Sequence, residues 1–191
     1  MAGDLSALPL QDLLDELASD DPAPAGGSAA AAAVAMAAAL VEMGARRSSS
    51  WEDAAGVAAQ ARSIRLRTVP LVQADADAYA ASLAALAAVD EVPGAGRDEA
   101  IASVLTGAAD VALAIAQAGT DAAYLAELVA DRGEPSGRDD AQAAAILAEA
   151  GTRVAAALVS ANLVTAEGDE RESAATTCAR TAAMVRERMD E

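Results

Sequence analysis

Pro22-Ala23-Pro24-Ala25-Gly26-Gly27-Ser28 opens onto an alanine-rich run that continues without a break to Leu40. Two prolines and two glycines predict a tight turn with exposed backbone. Ser28 stands where a helix N-cap belongs, its oxygen free to accept a first-turn N–H. A helix N-terminus behind a turn of small residues presents bare amides to an anion or a polar ring edge. The helix that follows is nearly all Ala, Val, Met and Leu, so it is expected to be buried on most sides and closely approached by its neighbours. The plainer account of the same stretch is a loop followed by a core helix.

The rest of the chain extends that reading. Its 191 residues suit one domain, residues 1–191, with a core of useful size. Phenylalanine is absent and aromatic residues make up 2%, so the core must be built from small side chains with helices close together. The alternation of β-branched and aromatic residues that marks strands is missing, which predicts an all-α fold. The formal charge is -17 and every basic residue is an arginine. This argues against a nucleic-acid partner, which would need basic patches, and against binding to anionic membranes. The acidity suits either a high-salt environment or a solubility margin. The single cysteine, Cys178, allows no intrachain disulfide. No basic segment followed by an apolar stretch marks a signal peptide, and the apolar run Ala29 to Val41 is short for a membrane span. The expectation is a cytoplasmic protein.

Leu8 to Ser19 reads as an amphipathic helix with Leu10, Leu13, Leu14 and Leu17 on one face. A second helix runs from Ser28 to about Arg47. Ser48-Ser49-Ser50 breaks it, and Ser50 with Asp53 resembles a capping box. A third helix is expected from Trp51 to about Val89, with a kink or restart at Pro70. After a loop at Val92-Pro93-Gly94-Ala95-Gly96, a fourth helix runs from Asp98 to Gln117. Gly119-Thr120 is expected to stop it before a shorter fifth from Asp121 to Asp131. A second Gly/Pro loop follows, Arg132 to Arg138. Asp139, with Gln142, is expected to cap a sixth helix to Leu163. After Glu167-Gly168-Asp169 a last helix runs from Glu170 to Met189. The architecture predicted is a single antiparallel helical bundle, and its flat apolar helix faces predict a homodimer.

Candidate chemistry is narrowed by what is missing. With no histidine and one cysteine, the usual general base and the usual zinc ligands are absent, and no metal site is expected. The glycine turns match neither a P-loop nor a dinucleotide fingerprint. Catalysis must then rest on Asp, Glu, Arg, Tyr, Ser or Asn. Asp75 and Asp77 lie two apart on a helix, about 200° of rotation, so one can point inward while the other is solvated. An inward carboxylate among alanines would have its pKa raised by desolvation, which suits acid/base work near neutrality. The competing account is two surface acids in an acidic protein. Asp140 is placed either over the second Gly/Pro loop or on a solvated helix surface. Asn162 is either a helix-end signal or a buried amide holding a ligand. Glu42 is a weaker candidate. Arg46 and Arg47 suit either an anionic ligand or a helix C-terminus.

These elements together resemble the cyclodeaminase/cyclohydrolase family, which includes the C-terminal domain of formiminotransferase-cyclodeaminase and bacterial methenyltetrahydrofolate cyclohydrolases. The opening turn Pro22 to Ser28 is similar to that family's Pro-x-Pro-Gly-Gly-Gly-Ser. Asp75, Ala78 and Tyr79 match its Asp-x-x-Ala-aromatic stretch. Gly133, Pro135, Asp140, Ala141, Asn162 and Leu163 match its last loop and helix. The resemblance implies an all-helical dimer with a folate groove and no cofactor beyond the tetrahydrofolate substrate. The implied reaction is either ammonia loss from 5-formiminotetrahydrofolate or hydrolysis of methenyltetrahydrofolate. Both pass through a tetrahedral carbon between N5 and N10 and need a proton relay. By resemblance Asp75 is the catalytic acid/base, Gly26, Gly27 and Ser28 line the groove, and Asp140 and Asn162 hold polar groups of the substrate or order the loop.

Four features depart from the family pattern. Ala25 replaces a glycine, Asp139 a serine and Leu158 an asparagine, and the lysines after the first long helix are missing. Two readings stay open: a folate one-carbon enzyme, and a non-catalytic helical dimer that has kept the bundle and lost the chemistry.

Overall fold

The computed structural model describes residues 4–88, 95–163 and 168–190, and among them all regular structure is helical. A short 3₁₀ turn, Leu5–Ala7, leads into α1 (Leu10–Leu17). Then follow α2 (Gly26–Arg47), α3 (Ala54–Thr68), α4 (Leu71–Ala87), α5 (Ala95–Arg132), α6 (Arg138–Asn162) and α7 (Glu170–Met189). The all-α bundle expected from the sequence is the observed fold. α5 runs through it and contacts α2, α3, α4, α6 and α7, with its most extensive packing against α6.

The core is alanine and valine, with Val34, Ala37, Ala38, Val41, Ile115 and Ala148 among its fully buried members. Glycines sharpen the close approach that small side chains permit. At Gly119 in α5 an added Cβ would collide with Thr152 Oγ1, and at Gly151 in α6 it would meet Val34 Cγ2 at 2.6 Å. Both notches converge on Val34 of α2.

Several boundaries differ from expectation. Gly119-Thr120 does not stop a helix; α5 passes straight through it. Gly119 serves as a packing notch, and Thr120 Oγ1 donates back to Ala116 O at 3.0 Å. Ser28 is not an N-cap, because the helix starts two residues earlier with Ala25 in the cap position. The Ser50/Asp53 capping box does not form: Ser50 Oγ donates instead to Glu134 Oε1 at 2.8 Å. Asp139 lies inside the first turn of α6, whose cap is Gly137, and Gln142 donates to Met189 O. α1 is shorter than the leucine pattern suggested, and Leu10 and Leu14 stay exposed while Leu13 packs on the core. The restart at Pro70 is observed, with Pro70 between α3 and α4 where its missing N–H costs nothing. Val89 and the loop residues Val92, Pro93 and Gly94 lie outside the described residues, as does Glu167, whereas Ala95 and Gly96 open α5.

Among the described residues three helices, Gly26–Arg47, Asp98–Arg132 and Pro135–Asn162, are long and apolar enough to cross a membrane by length and composition. The first corrects the expectation of too short a run, because the helix extends beyond Ala29 to Val41 at both ends. α2 carries Glu42, a buried carboxylate paired with Arg46 (2.6 Å) and with Arg65 of α3 (3.0 Å).

Candidate active site

Asp75 lies one turn into α4 and points at the N-terminus of α2. The meeting is close. At Gly27 a Cβ would overlap the Asp75 carboxylate, so that carboxylate occupies the space where any other residue would carry its side chain. Gly26 has nothing within 4 Å of its missing Cβ and faces open space. Ser28 is 1% exposed. Its Oγ lies 2.9 Å from Val72 O and 3.1 Å from Asp75 Oδ2, within donating distance of both. The first-turn amides of an α-helix lack intrahelical acceptors, and their partial positive charge favours an anion. Asp75 supplies that acceptor from a different helix, which is why α2 needs no cap side chain of its own.

Two opposing effects act on the Asp75 carboxyl. Burial disfavours its charged form and pushes its pKa above the ordinary carboxylate value; hydrogen bonds from the Ser28 hydroxyl and backbone N–H oppose this. Desolvation is the larger effect. Asp77 faces outward, as the two-residue spacing requires, and accepts from Gln73 Nε2 at 2.7 Å. The other end of the Gln73 amide accepts from Leu5 N–H at 2.8 Å, tying the N-terminal turn to α4.

A cavity of about 250 Å³ opens in front of this carboxyl, lined by Gly26, Gly27, Asp75, Tyr79, Leu158 and Asn162, with Ala25, Ala108 and Ala161 completing the wall. Asp75, Tyr79 and Asn162 are its polar side chains, set in an otherwise apolar wall. Such a volume takes the reacting end of a drug-sized ligand and leaves the remainder outside. A more open groove of about 340 Å³ between α3 and α5 is crossed by the Arg67–Asp121 ion pair. It lacks a buried carboxyl, so the Asp75 cavity is the stronger catalytic candidate.

Of the residues singled out in the sequence, Gly26, Gly27, Asp75 and Asn162 meet at this cavity, and Ser28 sits directly behind it. Asp140 does not. It is at the start of α6, with Arg47 at 3.9 Å, whereas Asn162 ends the same helix. At 1.5 Å per residue the two are about 33 Å apart, so one cavity in one chain cannot hold both. Arg46 is engaged by Glu42, and both belong to that far end of α2. Sequence reasoning passed over Tyr79 and Leu158 as cavity walls. Tyr79 was detectable in principle, because a residue four after Asp75 lies on the same helix face. Ala108 gave no signal. Among the described residues no group of three or more Cys, Asp or Glu side chains gathers to hold a metal ion.

A model of the formiminotransferase-cyclodeaminase family matches residues 9–182. No curated protein matches the sequence. Among solved structures, the fold is similar to that of formiminotetrahydrofolate cyclodeaminase from Thermotoga maritima, with a TM-score of 0.78 and 23% identity over 98% of this chain and 100% of that one. That likeness is one of fold. With the family match spanning most of the sequence, the chain belongs to the formiminotransferase-cyclodeaminase family.

Proposed function

We propose that this protein is an enzyme of folate one-carbon metabolism, either a formiminotetrahydrofolate cyclodeaminase or a methenyltetrahydrofolate cyclohydrolase, and that Asp75 is its acid/base. Family membership supports a folate derivative as substrate. The observation that carries the chemistry is the Asp75 carboxyl, desolvated yet hydrogen-bonded, at the mouth of a cavity edged by the N-terminus of α2. In deamination N10 adds to the carbon of the protonated formimino group, the N10 proton passes to the Asp75 carboxylate, and the departing NH2 group recovers it and leaves as ammonia. In hydrolysis the same carboxylate takes a proton from the water that adds to the methenyl carbon. A pKa raised toward neutrality serves both directions of transfer. The free amides of Gly26 and Gly27 and the Asn162 side chain are suited to polar edges of the pterin. Ala108, Leu158 and Ala161 supply the apolar wall against its ring. The protein acts in the cytoplasm as a homodimer, joined through the exposed apolar faces of α2 and α6.

Leu158 favours a second reading. It puts an apolar side chain on the cavity wall at a position where the family resemblance leads one to expect an asparagine. A protein that has given up folate chemistry while keeping the bundle would show such a change.

The absorbance of methenyltetrahydrofolate separates these readings. It is followed as product from 5-formiminotetrahydrofolate and as substrate in hydrolysis. The enzyme reading expects turnover in one assay, reduced about 10²- to 10⁴-fold by Asp75→Asn with helicity unchanged. Wild-type protein inactive in both assays would establish the second reading. Equal rates in wild type and variant would remove Asp75 from the mechanism.

A further inference from the structure

The geometry points to Ser28 as a positioning residue that keeps the Asp75 carboxyl in one place through both of its protonation states. The Ser28 hydroxyl has one proton and two acceptors within reach, Val72 O at 2.9 Å and Asp75 Oδ2 at 3.1 Å. With Asp75 ionised, the hydroxyl turns its proton to the carboxylate. With Asp75 protonated, the carboxyl donates to Ser28 Oγ, and the serine proton turns to Val72 O. Each state keeps a hydrogen bond between the two side chains, no heavy atom moves, and the protons balance.

The surroundings leave the carboxyl little other freedom. Gly27 packs directly on it from α2, and Ser28 itself is buried. The groups facing the cavity from α2, α5 and α6 are Gly26, Gly27, Ala108, Leu158, Ala161 and Asn162, all uncharged. On α4 itself, Tyr79 is the other titratable wall residue, and Asp77 is turned away toward Gln73. Ser28 is therefore the side chain through which the proton affinity of Asp75 is set by direct hydrogen bonding. An acid/base group that must both take and return a proton needs support in both forms, and a serine rotor gives it without reorganisation.

This inference rests on the proposed folate chemistry only for its effect on turnover. Its central test is a titration: the Asp75 side-chain carboxyl is followed by ¹³C NMR in protein with labelled aspartate, its resonance assigned by its loss in Asp75→Asn. In Ser28→Ala the midpoint is expected to rise by about one pH unit, because the charge-assisted hydrogen bond lost from the ionised form is stronger than the neutral one lost from the protonated form. Ser28→Cys keeps the shape with a weaker donor and is expected to fall between wild type and alanine. An unmoved midpoint in Ser28→Ala would overturn the proposal. Should the alanine variant fail to fold, the cysteine variant decides by the same rule. If the wild type turns over folate, the acid limb of kcat/KM must move with the titration. A protein without turnover defeats the functional reading and leaves the titration to judge Ser28 alone.

Discussion

At the scale of single residues, the site depends on a side chain that is not there. Gly27 leaves the volume that the Asp75 carboxylate fills, while Gly26 beside it faces open space. The two neighbours are therefore expected to respond differently to one added methyl. Gly27→Ala forces the carboxylate off Ser28 or pushes α4 from α2, an overpacking cost of about 1–3 kcal/mol. In a protein of this size that lowers the melting temperature by roughly 2–4 °C per kcal/mol. Turnover is expected to drop with it. Gly26→Ala is expected to melt close to wild type. Thermal unfolding by circular dichroism, with the methenyltetrahydrofolate assay alongside, checks both, and equal melting of the two variants would contradict the packing account. The Gly-Gly pair was legible as a functional turn because glycine composition is local information. Which glycine matters was not, since the decision is made by α4, a partner 48 residues further along the chain at Asp75. The separation of Asp140 from the cavity has the opposite origin. Its distance from Asn162 followed from helix rise alone once both were assigned to one helix.

At the scale of elements, the same residue type acts as punctuation or as a notch, and local sequence does not separate the two. Pro70 was legible as a restart because proline lacks its own N–H wherever it sits. Gly119-Thr120 read equally well as a stop. It is instead the point where α5 admits α6, with Thr152, Ala148 and Val34 filling the space beside the glycine. The helix continues because the packing gained at that crossing outweighs the weak helix propensity of one glycine, about 1 kcal/mol. Gly151→Ala is expected to destabilise by about 1–3 kcal/mol, despite the gain in helix propensity, because its methyl meets Val34 Cγ2 at 2.6 Å and Ala30 O at 3.0 Å. Gly107→Ala, at an exposed point of α5 with nothing within 4 Å, is expected to stabilise by about 0.5–1 kcal/mol. Urea unfolding midpoints distinguish the two. A Gly151→Ala protein as stable as wild type would show that the three-helix crossing is looser than its geometry indicates.

At the scale of the whole molecule, charge and apolar surface are unevenly shared. The chain carries 30 acidic and 13 basic residues, yet from Ala29 to Val41 and from Ala141 to Ala148 neither α2 nor α6 has a charged residue. Both helices nevertheless leave large apolar side chains outside: Met36 is 51% exposed and Ile146 53%, with Val154 at 42%. α2 and α6 pack against each other, and each keeps such side chains on its exposed surface. A stable interface needs roughly 800 Å² from each partner, and two adjacent helices of 22 and 25 residues have the length to provide it. The proposed self-association would have to overcome the repulsion between two chains of charge -17, which sets the direction of the salt effect. Raising ionic strength screens that repulsion and is expected to tighten the dimer. Sedimentation equilibrium at micromolar protein is therefore expected to give the mass of two chains, with dissociation favoured as salt is lowered. Met36→Glu or Ile146→Glu places a carboxylate on this exposed apolar surface. Each is expected to yield a monomer with wild-type helicity, because neither side chain belongs to the monomer core. A wild type that sediments as a single chain at every salt concentration would leave those exposed side chains without a partner of their own kind and would refute the dimer.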